Sequence, residues 1–166
     1  MSINRHRTRE WVVQAVYQYL LNQQPLPQLL LQLRDHEAVS SIDANWCQEL
    51  LSGIVGSMDA LDEKIARYTA RPLSGLSPVE HAILLLGTQE LMHAPEIPYR
   101  VIINESVELA KTFGGADGHK FVNGVMDKLA IELRNTEIQS QKTDHMKPVD
   151  ASVKSGNRTG KKERAS

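Results

Sequence analysis

Apolar positions recur along this chain with a helical period of three to four residues, and they divide it into helix-sized blocks. Val12, Val13, Val16, Tyr19 and Leu20 share one face of a helix from about Asn4 to Asn22. The turn QQPLPQ breaks that helix, and a short apolar helix, LLLQLRDH, follows. Ser40 and Ser41 are cap residues for a helix through Trp46, Leu50, Leu51, Ile54 and Val55. A segment from about Met58 to Tyr68, carrying Leu61 and Ile65, continues past Gly56 until Arg71–Pro72 ends the region. The clearest helix start is SPVEHAILLLGTQELMHA, with Ser77 as N-cap, Pro78 at the first helical position and Glu80 completing a capping box. Pro98 opens a helix whose stripe is Ile103, Val107 and Ala110, with Gly114 as its stop. Asp117 then caps a last helix carrying Val122, Val125, Met126, Leu129 and Leu133. No period-2 pattern survives, because RVIIN lies inside a helical repeat after a Pro start. The expectation is an all-α chain of about seven helices.

Composition narrows the class. A sequence of 166 residues, 41% apolar and 23% charged, has enough apolar side chains for one ordinary core. From Asn135 onward it has no aromatic residue and few large aliphatics. The expected organisation is therefore a helical domain, 1–134, and a disordered basic tail, 135–166. No apolar run suits a membrane span, and the opening MSINRHRTRE lacks a secretory h-region, which points to the cytoplasm. Cys47 is the single cysteine, and no two of the six histidines have metal-site spacing, so neither metal nor cofactor is expected.

Charge is unevenly distributed. Residues 1–9 hold Arg5, Arg7 and Arg9 with no acid, and the tail holds seven Lys/Arg against four Asp/Glu. Between them, residues 10–134 hold nine Lys/Arg against sixteen Asp/Glu. Basic ends on an acidic body fit nucleic-acid binding or plain solvation.

The two phenylalanines of the chain, Phe113 and Phe121, flank one glycine-rich connection, FGGADGHKF. One reading is a hydrophobic clasp across a turn. The other is a single-stranded RNA surface, with bases stacking on rings and phosphates held by Lys120, His119 and a helix N-terminus.

The run IPYRVIINESVELAKTFGGADGHKFVNGVMDKLA, residues 97–130, resembles the C-terminal signature of the NusB family of transcription antitermination factors. RHRTREWVVQAVYQ is similar to that family's arginine-rich first helix, and SPVEHAILLLGTQEL to its fifth, so the resemblance spans about residues 4–134. It implies two perpendicular three-helix subdomains and a non-enzymatic role. That role is binding boxA RNA together with the small-subunit ribosomal protein that acts as NusE, within an RNA polymerase antitermination complex on rRNA operons. Carried over by position, the RNA contacts are Arg5, Arg7, Arg9, Gln14, Tyr17, Tyr68, Arg71, Phe113, Asp117, Gly118, His119, Lys120 and Phe121. Glu80 falls at the ribosomal-protein contact. The chain departs from the family pattern at Leu85 and Gln89, and at Trp11, where a large ring on the polar side of the first helix is a stacking platform or a subunit contact. The alternative is a protein-only helical adaptor. An enzyme would need a catalytic domain that nothing after Arg134 supplies, and no nucleophile–base pair stands out.

Overall fold

The computed structural model describes residues 4–35 and 40–146, and every regular element among them is helical. The α-helices are α1 (Arg5–Asn22), α2 (Leu26–Asp35), α3 (Ala44–Gly56), α4 (Met58–Ala66), α5 (Pro78–His93), α6 (Tyr99–Phe113), α7 (Gly118–Leu133) and α8 (Asn135–Met146). A 3-10 turn, Leu73–Gly75, lies before α5.

The fold is organised around α5. Ten consecutive residues of it, Ala82 to Leu91, are buried, as the all-apolar circumference of AILLLG requires. α1, α3, α4, α6 and α7 all pack against it. Leu85, one of the departures from the family pattern, is fully enclosed in this core. Gly87 sits at the closest approach: a Cβ there would fall 2.5 Å from Cε of Met126 and 2.9 Å from Oγ of Ser106.

Helix ends follow local chemistry in most places. Asn4 accepts from the Arg7 N–H at the start of α1, and Ser77 accepts from the Glu80 N–H at the start of α5. The start of α3 differs from expectation. Asp43, and not Ser40 or Ser41, accepts from the Trp46 N–H, at 3.1 Å. Ser41 instead receives a hydrogen bond from the Arg7 guanidinium. Replacing Asp43 by Ala should therefore cost about 1 kcal/mol in urea unfolding, the usual loss for an N-cap. A change near zero would remove the cap from Asp43.

Three further boundaries or faces shift. α2 begins at Leu26, inside the expected turn, with Pro27 in its first turn, where a missing N–H costs nothing. On α6 the buried face is Ile102, Ile103, Ser106, Leu109 and Ala110, and Val107 is half-buried at its edge. Asp117 occupies the N-cap position of α7, but its carboxylate makes no capping bond.

The α7 end is closed by Arg134. Its guanidinium donates to the carbonyls of Leu91 at 2.7 Å, Ile97 at 2.9 Å, Ala94 at 2.7 Å and Glu90 at 3.2 Å. It thereby satisfies the Leu91 carbonyl near the end of α5 and adds a second donor to the carbonyls of Glu90 and Ala94, which already accept from the N–H groups of Ala94 and Ile97.

Residues up to Asn135 form one compact unit, and a second begins at Thr136. The stretch expected to be disordered from Asn135 starts as helix α8. Its residues explain this: Glu137, Gln139, Gln141 and Lys142 are good helix formers, and none of them needs burial. The remainder of that expectation, residues 147–166, lies outside the described residues.

Candidate nucleic-acid interface

The glycine-rich connection joins α6 to α7. Gly114 ends α6 by donating its N–H to the Ala110 carbonyl at 2.8 Å. A Cβ on Gly114 would lie 2.6 Å from that same oxygen, so only glycine fits the turn. Phe113 and Phe121 are both half-buried against the core, each keeping part of its ring at the surface. The guanidinium of Arg71 lies over the Phe121 ring, 5.1 Å from its centroid. Arg71 itself is exposed. The expected contacts Arg71 and Phe121 are thus one layered unit, and a base can stack on either the ring or the flat guanidinium above it.

Around this unit, Lys120 is exposed and its ammonium lies 3.6 Å from Asp117. Both side chains are largely in solvent, so the pair is weak and the ammonium can turn to a phosphate. His119 is half-buried in the same turn, and Gly118 is buried. Glu80 packs here as well: a Cβ on Gly118 would fall 3.1 Å from its Oε1. The candidate protein contact and the candidate RNA loop therefore adjoin.

Tyr68 donates its hydroxyl to Glu132 at 3.0 Å, and Arg67 donates to the same carboxylate oxygen at 2.7 Å. The bond from Arg67 holds the Glu132 carboxyl below its ordinary pKa, and the bond to Glu132 raises that of Tyr68. With its hydroxyl engaged, Tyr68 can offer a ligand its half-buried ring.

The arginine arm divides. Arg5 and Arg7 are exposed, and the Arg5 guanidinium lies 4.9 Å above the Trp46 ring. Arg9 is the correction: it is 3% exposed, and its fork binds Glu90 through contacts of 2.7, 3.0 and 3.1 Å. It lies on the same face of α1 as Val12 and Val16, and that face enters the core. It cannot reach an external phosphate without breaking a buried ion pair. Gln14 is exposed and Tyr17 half-buried. The bond to Glu105 raises the pKa of the neighbouring His6 and ties α1 to α6.

Nothing in the local pattern of residues marks Trp46 as a platform. Its position in the α3 stripe pointed inward, whereas its ring is half-buried beside both Arg5 and Arg9. Cys47, next to it, is fully buried, and burial pushes its thiol up to about 12, which leaves no thiolate near neutral pH. Among the described residues no cluster of His, Cys, Asp and Glu is placed to hold a metal ion, and no helix is long and apolar enough to cross a membrane.

The sequence model of the NusB family matches residues 6–131. The chain belongs to the NusB family. It is 51% identical over 140 residues to transcription antitermination protein NusB of Bordetella pertussis, a span of 82% of this chain and 91% of that protein. Its structure is similar to that of T. maritima NusB, with a TM-score of 0.75, 30% identity, and coverage of 84% and 99% of the two chains. A NusB solved with NusE and double-stranded RNA shares the fold, at a TM-score of 0.64 and 20% identity over 75% of this chain and 95% of that one. The NusB match takes in every site residue named above except Arg5, which lies one position before it.

Proposed function

We propose that this chain is a transcription antitermination factor that binds boxA RNA together with the ribosomal protein acting as NusE. It would deliver both to elongating RNA polymerase in the cytoplasm, on rRNA operons, by binding and not by catalysis. The observation that carries the reading is the Arg71–Phe121 stack beside Lys120 at the α7 N-terminus. It combines a flat surface for a base, cations for phosphate and backbone N–H groups that no side chain caps. Glu80 at the edge of the same loop supports simultaneous engagement of the protein partner. Two modest contacts held on one rigid scaffold give a joint affinity well above either alone. The relative solved with NusE and RNA supports the same pairing.

Affinity for single-stranded boxA RNA should fall steeply with salt. Three to five neutralised phosphates correspond to a log–log slope of roughly −2 to −4. Arg5, Arg7, Arg71 and Lys120 are the exposed cations available for those contacts. Fluorescence anisotropy at a series of salt concentrations measures the slope. A flat response would leave a protein-only adaptor.

A further inference from the structure

The face of α1 that presents Arg7 continues along the helix as Trp11, Gln14 and Gln18. These positions follow one another at i, i+4, i+7 and i+11 and therefore share one side of the helix. Trp11, Gln14, Ala15 and Gln18 line a cleft of about 170 Å³ whose far side is Gln32 of α2. Trp11 is half-buried, and the three glutamines are exposed. Ala15, 3% exposed, contributes only a methyl group, so the cleft is open beside the indole.

Its chemistry differs from that of two other clefts among the described residues. The one beside Trp46 is lined by Glu49, Glu90 and Glu96, and the one at the α3–α4 junction carries Asp59. Carboxylates there oppose a polyanion. Among the described residues no carboxylate lines the α1–α2 cleft. Each glutamine amide brings one acceptor and two donor hydrogens, the complement of a nucleobase edge. The indole brings a flat face for stacking. The volume lies below the ~300–1,000 Å³ of ordinary small-molecule pockets and suits a single planar ring.

We propose that this cleft holds one unpaired base of the bound RNA. The base stacks on Trp11 and meets Gln14, Gln18 and Gln32 along its edge, while Arg7 takes a neighbouring phosphate. The proposal rests on the RNA-binding reading above and adds to it a base-reading subsite at the α1–α2 junction, separate from the Phe121 loop.

The test uses full-length protein and single-stranded boxA RNA carrying native flanking nucleotides. A set of copies has each nucleotide in turn made abasic. Wild type should show one position at which base removal weakens binding by roughly 5- to 100-fold, the range for one stacked base. Trp11→Ala should abolish the penalty at that position alone, and Trp11→Phe should retain most of it. Gln18→Ala, an exposed change that leaves the core intact, should reduce the same penalty. Phe121→Ala should leave it in place and cancel the penalty at a different nucleotide. The subsite is overturned if Trp11→Ala and Gln18→Ala bind the whole set as wild type does, or lose affinity equally at every position, while the Phe121→Ala effect persists. Absence of salt-dependent binding by the wild type overturns the RNA reading and the subsite together.

Discussion

Arg9→Ala should lose about 3–5 kcal/mol of stability in urea unfolding, the scale for removing one partner of a buried ion pair. The loss comes from Glu90, which is 2% exposed and would be left as an isolated buried carboxylate. Against a total stability of about 5–15 kcal/mol, that is a large share. Burial already pushes the Glu90 carboxyl above its ordinary pKa, while the Arg9 fork pulls it down. Without Arg9 the folded-state pKa rises further above the unfolded value. The folded state then binds the proton more tightly, so the variant regains stability as pH falls and loses it as pH rises through the folded pKa. A paired replacement, Arg9→Met with Glu90→Leu, removes both charges and should restore most of the stability. RNA affinity of that double variant should stay within a few-fold of wild type, because Arg9 faces the core. If Arg9→Ala unfolds normally but binds RNA much more weakly, the buried pair does not describe the protein in solution.

The second large effect separates folding from binding on one helix. Phe121→Ala should weaken RNA binding by about 1–3 kcal/mol through lost stacking. Its stability cost should stay below the ~3–5 kcal/mol of a fully buried Phe, since part of the ring is at the surface. Val125, four residues on and 3% exposed, should behave in reverse: Val125→Ala should cost about 1 kcal/mol or more of stability and leave the RNA contact alone. Arg71→Ala should reproduce much of the Phe121 loss, because its guanidinium rests on that ring. Binding of the ribosomal-protein partner should survive all three changes, since none touches Glu80. Paired thermal melts and RNA titrations decide the matter. Unchanged RNA affinity in Phe121→Ala would reduce the ring to a clasp across the turn.

What could be read from the sequence was whatever a few neighbouring residues determine. Ser77 with Pro78 marks the start of α5, Gly114 marks the end of α6, and the α7 stripe through Val122, Val125, Met126 and Leu129 is as spaced. Local chemistry was ambiguous where several residues could do the same work. Ser40, Ser41 and Asp43 are all good caps, and only the packing of α3 selects Asp43. Pairs distant in sequence were out of reach. Nothing near Arg9 announces Glu90, 81 positions away, although its place on the side of Val12 and Val16 sets it apart from Arg7. The same holds for Arg71 and Phe121, whose contact depends on how the segment after α4 meets α7. The resemblance supplied the roles of these residues, and the geometry sorted them into exposed and buried.

Arg134 also bears on how the chain is made. A ribosome releases residues from the N-terminus onward, and domains tend to fold as they emerge. α5, against which α1, α3 and α4 already pack, is complete at His93. The Leu91 carbonyl near its end waits for a partner that is synthesised some forty positions later, at residue 134. The nascent protein can therefore gather its first helices early, but it closes its centre only when the last residue of its first compact unit but one has left the ribosome.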